Sequence, residues 1–307
     1  MAIALQRTQL LGKIEAVEGT KENLAAADAV LVYDTGFDPT QAINLRDPHR
    51  ETLSVMPPVA GARSAKIKFA VELKGSGTKG TPPEWGKFLK ACGFTETVVA
   101  NTSVTYTPAS TSIPSLTLGL YRDGVINRIW GARGTVRLEL EAGKIGLLHF
   151  EFTGADFERV DGALVSATYQ STVPPAFLGA TFTVDSYAAV VDKVSIDLGN
   201  AIALRSSPTA ASGYVSALIT GRAPKVSFDP ETVTVATKDF PGLMKAGTAF
   251  ALSCTLGSAQ GNTITISAPK LVIQDLKEGN RSGILTDQIT AVAAMDSGDD
   301  ELTIMLT

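Results

Sequence analysis

The sequence predicts a mainly β protein: two tandem copies of one β-domain, each with one short flanking helix. Three observations carry the prediction. Apolar and polar residues alternate with period two along most of the chain, one stretch alone reads cleanly as a helix, and blocks of the first half recur in order in the second. With 307 residues, 44% of them hydrophobic and 19% charged, the chain can bury one large core or two ordinary ones.

The N-terminal run MAIALQRTQLLGKIEAVEGT has no apolar core followed by a small-residue cleavage site, so no signal peptide is expected. No apolar run approaches the ~20 residues of a membrane helix, so no membrane association is expected. In 64-SAKIKFAVELK-74, Ala65, Ile67, Phe69, Val71 and Leu73 share one strand face, with Lys66, Lys68, Glu72 and Lys74 on the other. The helix follows in 81-TPPEWGKFLKACGF-94. Thr81 is placed to N-cap it, Pro82 to occupy its first position and Glu84 to complete a capping box. Trp85, Phe88, Leu89 and Cys92 then fall on one apolar stripe, Lys90 sits in the last turn, and Gly93 supplies a left-handed stop. Strands are predicted at 103-SVTYTP-108 and 115-SLTLGLY-121. In 134-GTVRLELEAGKIGLLHFEFTG-154, Val136, Leu138, Leu140, Leu148, Phe150 and Phe152 oppose Arg137, Glu139, Glu141, His149 and Glu151, which makes a hairpin with one apolar and one charged face. Further strands are predicted at 181-TFTVDSY-187, 231-ETVTVAT-237, 249-AFALSCTL-256, 263-TITIS-267 and 301-ELTIML-306.

The repeat appears when 37-FDPTQAINLRDP-48 is set over 196-IDLGNAIALRSS-207, matching Asp38 to Asp197 and Leu45-Arg46 to Leu204-Arg205. The same offset sets 65-AKIKFAVE-72 over 224-PKVSFDPE-231, and a smaller one sets 88-FLKACG-93 over 243-LMKAGT-248. A third, smaller still, sets 124-GVINRIWGARGTV-136 over 261-GNTITISAPKLVI-273, as expected if the first copy holds an extra segment near 94–114. The predicted domains are 1–168 and 169–307, joined at the Pro-rich 170-QSTVPPAFLG-179.

Catalytic chemistry finds no foothold. His49 and His149 lack a nucleophile or carboxylate in any motif, and GxSxG, HExxH and DxDxDG are absent. Cys92 and Cys254 have no ligand neighbour at CxxC spacing, and Cys92 on the apolar stripe is expected to be inert. The loop 75-GSGTKGT-81 fails the GxxxxGK[ST] pattern and reads as a hairpin tip. The acidic 296-DSGDDE-301 lacks calcium-loop spacing and reads as a solvated turn. Glu139, Glu141 and Glu151 share their face with Arg137, as alternating charges on a wet strand do. No cofactor or metal is implied, and an enzyme is not expected. A net charge of −4 argues against gripping nucleic acid through its phosphates. A carbohydrate-binding β-sandwich is the weaker rival, because aromatics are 7% of the chain and both Trp85 and Trp130 lie in regular elements.

One combination of segments points further. The run GARSAKIKFAVELKGSG, the TPPEWGKFLKACGF helix, a Y-T-P strand and SLTLGLYRDGVINRIWGARGTVRLELEAGKIGLLHFEFTGA resemble the tail tube (major tail) proteins of long-tailed bacteriophages and prophages, of the two-domain type. The resemblance is best over about residues 10–155 and looser beyond. It implies two tail-tube-like β-sandwich or half-barrel domains, trimeric pseudo-hexameric rings stacked into a tube, and passage of genome DNA through the lumen without specific binding. It also implies tape-measure, tail-terminator and distal tail or baseplate proteins as partners, and a virion protein made in the host bacterial cytoplasm. The inner tube of a contractile tail or secretion machine is the alternative. On this reading the polar hairpin faces line the lumen through Arg137, Glu139, Glu141 and Glu151, and through Gln274, Thr286, Gln288 and Thr290 in the second copy. Lys66, Lys68 and Lys74 are expected to pair with acids of a neighbouring subunit. The loop Lys74, Gly75, Ser76, Gly77, Thr78, Lys79 and Gly80 either reaches the next ring or is a plain turn, and Trp85, Phe88, Leu89 and Cys92 pack the helix.

Overall fold

The computed structural model describes residues 4–307. Its first half carries β1 (Thr8–Ile14), β2 (Ala29–Val30), β3 (Tyr33–Asn44), β4 (Val59–Glu72), α1 (Gly86–Ala91), β5 (Phe94–Val99), β6 (Ser103–Pro108), β7 (Leu116–Arg122), β8 (Gly124–Glu141), β9 (Leu147–Gly154) and β10 (Asp156–Gly162). The second half carries β11 (Thr181–Val184), β12 (Tyr187–Ala188), β13 (Lys193–Asp197), β14 (Ala201–Ser206), β15 (Tyr214–Gly221), β16 (Lys225–Phe228), α2 (Phe240–Ala246), β17 (Phe250–Leu256), β18 (Ile264–Arg281), β19 (Ile284–Ala293) and β20 (Thr303–Leu306). The protein is mainly β, as predicted.

The strands form two layers. The front sheet runs β3-β4-β9-β8-β13-β16-β19-β18, antiparallel throughout. Behind its first half lies β2-β1-β7-β8-β10, and behind its second half β12-β11-β17-β18-β20-β6-β5. The long strands β8 and β18 serve both layers: each starts in the back layer, bends, and finishes in the front sheet. In β8 the bend falls at Gly131, whose φ of 59° is costly for any residue with a Cβ. In β18 it falls between Ala268 and Leu271, around Pro269, where the register with β17 shifts. Alternating side chains from both layers meet in one continuous core that runs through the two halves.

Pairing in the two halves follows one scheme. β1-β7-β8-β10 is matched by β11-β17-β18-β20, and β3-β4-β9-β8 by β13-β16-β19-β18. Asp38 lies opposite Lys66 and Asp197 opposite Lys225, the pairs that the sequence repeat superimposes. Phe69 meets Phe88 edge-on at 5.0 Å, and Phe228 meets Phe240 edge-on at 6.1 Å. The β5–β6 hairpin lies in the segment predicted to be extra, and β6 pairs with β20 of the second half. Among the described residues, strand pairing joins the halves at β8–β13 in front and at β6–β20 behind.

Two sequence expectations are corrected. The helix starts at Gly86, not Pro82, and Thr81 caps nothing; its amide donates to Thr78 in a turn. Pro83 is the reason, since a residue before proline is driven out of the α region and Pro82 cannot open a helix there. The segment 231–237 is not a strand: it makes one bridge, Glu231 to Thr286, and then turns. Its alternating valines lack a covering layer, and Val235 is 73% exposed.

Candidate functional site

The open face of the front sheet gathers the polar residues of eight strands. Because antiparallel partners point to the same side, the registers fix its composition. Lys66 and Lys68 of β4 stand across from Thr153 and Glu151, Glu151 from Thr135, and His149 from Arg137. Arg137, Glu139 and Glu141 of β8 stand across from Asp197, Ser195 and Lys193 of β13. The face continues through Ser227 to Thr290 and on to Asp275, with Gln288 opposite Lys277. Behind it Val136, Leu138, Leu140, Leu148, Phe150 and Phe152 are buried, as the alternation requires.

Charges on this face neutralise one another within the chain. Glu151 takes Lys66 at 2.6 Å and Lys68 at 3.3 Å. Partial desolvation pushes its carboxyl up, but the two lysines together outweigh it and hold the group below the usual range. Glu139 takes Arg137 at 2.8 Å, with His149 Nε2 at 3.1 Å, and Glu141 takes Lys144 at 2.8 Å and Lys193 at 3.9 Å. Lys277 lies 2.7 Å from Asp275. Lys66 and Lys68, expected to seek acids on a neighbouring subunit, find theirs on β9. Lys74 is 3% exposed, 3.1 Å from Glu72 and 3.9 Å from Glu84, so it is not on the face at all.

The second-half candidates land unevenly. Gln288 is exposed and Thr290 half-buried on the polar face, with Thr290 Oγ1 3.1 Å from Ser227 Oγ. Thr286 has the same parity but is 2% exposed, closed over where Glu231 bridges to it. Gln274 is the extra residue of a bulge between Ile273 and Asp275, which moves the outward positions to Asp275 and Lys277. Sequence reading missed that pair, together with Lys193 and Ser195. The alternation in 193-KVSID-197 was the available signal for the second pair; no period-two count could foresee the bulge.

The glycine-rich loop is an internal clamp over much of its length. The Gly75 amide donates to Asn262 Oδ1 at 2.7 Å and that of Gly77 to the Gly261 carbonyl at 3.1 Å. A Cβ on Gly75 would lie 2.0 Å from that carbonyl, so close backbone contact explains this glycine. Lys74 and Gly75 are buried, whereas Ser76, Gly77, Thr78, Lys79 and Gly80 reach the surface. In the neighbouring helix Trp85, Phe88, Leu89 and Cys92 are fully buried, and the Trp85 indole N–H donates to the Lys74 carbonyl at 2.8 Å. Burial pushes the Cys92 thiol far up and that of Cys254 to about 12, which removes both as nucleophiles near neutral pH. The acidic turn 296–301 is bound internally: Asp300 accepts three backbone amides, and Arg222 bridges Asp299 and Glu301.

Two hairpins leave this frame. The outer part of β3–β4, with its loop 45–58, exposes Ile43, Leu45, Leu53, Val55 and Val59. The β14–β15 hairpin folds back on the first half: the Ser212 carbonyl accepts the Arg63 amide at 2.9 Å, and Arg133 donates to the Ala217 carbonyl.

The arrangement is a broad, charge-balanced polar sheet face over a continuous apolar core. Among the described residues no helix is long and apolar enough to cross a membrane. A family model described as phage tail tube protein matches residues 6–300. No curated protein matches the chain.

Proposed function

The chain belongs to the phage tail tube protein family, and from that premise we propose that it polymerises into stacked rings whose bore carries the genome during ejection. Each chain supplies two tail-tube-like domains, about 1–168 and 169–307, so that three chains make a pseudo-hexameric ring. The polar face of the front sheet lines the bore, and the apolar face stays in the core. The observation that carries this reading is the pairing of acids and bases across that face, Glu151 with Lys66 and Lys68 and Glu139 with Arg137. Duplex DNA carries one negative charge per ~1.7 Å, and a basic wall would hold it by counterion release. A wall whose lysines are already neutralised offers phosphates little to bind, so DNA slides. No catalytic role is assigned: the chain works as a conduit.

Contacts to other rings are expected from exposed surfaces that are apolar or glycine-rich. Residues 76–80 supply one candidate, and the exposed apolar loop 45–58 offers a larger one. Tape-measure, terminator and distal tail proteins are the expected partners at the bore and the two tube ends. Electron microscopy of the purified protein, concentrated or seeded with tail-tip complexes, tests the proposal. Rings or tubes are expected. A protein that stays monomeric under both conditions would remove it.

A further inference from the structure

The joint between the two halves inside the chain is a template for a joint that the chain leaves open at its ends. Resting on the assembly reading above, we propose that the outer edge of β3 pairs antiparallel with the outer edge of β18 of a second copy of this chain, in the register that sets Asp38 opposite Lys277.

Inside the chain, β13 closes on β8 with Asp197 opposite Arg137, Ile196 opposite Leu138 and Lys193 opposite Glu141. The counterpart of β13 is β3, and that of β8 is β18. Among the described residues β3 pairs only with β4, and residues 275–281 of β18 pair only with β19. One edge of each is therefore free, and the two free edges are the counterparts of the two that meet in β8–β13.

The register carries across strand by strand. Asp38 and Asp197 correspond because each faces a lysine, Lys66 or Lys225, on the next strand. Phe69 and Phe228 correspond, and they face Phe150 and Ile289. Those two in turn face Val136 and Leu276. One residue further along, Arg137 corresponds to Lys277 and Leu138 to Glu278. The in-chain pair Asp197–Arg137 thus becomes Asp38–Lys277 between chains, again opposite in sign. Beyond it Gly36 meets Gly279, and past Gly36 a bulge of β3 against β4 ends the simple correspondence. Opposite charges directly across antiparallel strands attract, and like charges repel.

The seams differ on their core side. Within the chain Leu138, Leu140 and Ile196 are buried. Their counterparts are Glu278, Asn280 and Phe37, of which the first two are exposed and the third half-buried. The in-chain seam is sealed by hydrophobic burial, while the open edges stay soluble, guarded by Pro39 on β3 and by the charge of Lys277. Such a seam is heterologous, so repeating it closes a ring or extends a filament.

The full-length double variant Asp38→Cys/Lys277→Cys tests the register. The Leu198 amide bonds the Val136 carbonyl, so the template pair 197/137 is of the non-hydrogen-bonded, closely spaced kind, about 4.5 Å between Cα atoms, which suits a disulfide. Cys92 and Cys254 are buried and do not compete. After assembly and mild oxidation, non-reducing gels should show covalent dimers and trimers, with single variants at the monomer position. Rings or tubes in the microscope without cross-linking would overturn the register and leave the tube function standing. Absence of rings in the unmodified protein would overturn both. A charge swap gives a second readout: Asp38→Lys should slow assembly about fivefold or more, and adding Lys277→Asp should restore it. A folded double swap as slow as the single would also sink the proposal.

Discussion

Phe88 meets Phe69, Phe150 and Phe152 at centroid distances of 5.0, 5.6 and 6.1 Å, and so joins α1 to β4 and β9. Truncating a fully buried aromatic removes its burial and leaves a cavity, so Phe88→Ala should cost about 3–5 kcal/mol in urea unfolding. Asp299 makes a pH prediction. The Ser110 hydroxyl that it accepts, and then Arg222, hold its carboxyl below the usual range. A depressed folded pKa contributes stability above the unfolded value of about 3.9, and that stability is lost as pH falls through the folded value. Unfolding titrations below about pH 4 should therefore show a loss of stability that Asp299→Asn reduces. At this scale the sequence told where side chains go, better than what they touch. Cys92 was legible as inert packing because its stripe was apolar; the partner of Asp299 was not, since Arg222 lies far away in sequence.

Helix ends separate the two short helices. At α2 the Asp239 carboxylate accepts the Gly242 amide at 2.7 Å, and Gly247 ends the helix with φ 62°. Asp239→Ala should cost about 1 kcal/mol. Thr81→Ala should cost well under half of that, because Thr81 makes no cap at α1; paired thermal melts check both. Strands with one covered face were legible from period two, as β6 and the β8–β9 hairpin are. Where a strand is open on both faces the signal fades, and the arm of β3 beyond Pro39 went unread for that reason. The opposite error occurred at 231–237, whose alternation has no layer to face. The bulge at Gln274 was invisible because one extra residue leaves the composition of a strand unchanged while turning over its faces.

Across the whole molecule, the repeat visible in the sequence reappears as a repeated pairing scheme, and this is what makes the front sheet one long continuous surface. Its charge balance leads to a prediction about DNA. The wild-type assembly should not retain duplex DNA at physiological salt. The Glu139→Lys/Glu141→Lys variant, which turns the middle of the face basic, should bind it with an affinity that falls steeply as salt rises; filter binding across a salt series reads this out. The orientation of the face could not be settled from one chain's alternation, since period two says which residues share a side but not what lies beyond it. The most direct measurement is a cryo-electron microscopy reconstruction of the assembled protein. The account predicts a tube whose bore is lined by Arg137, Glu139, Glu151, Lys193, Lys277 and Gln288. A tube with these side chains on its outer surface, and another face toward the bore, would contradict it.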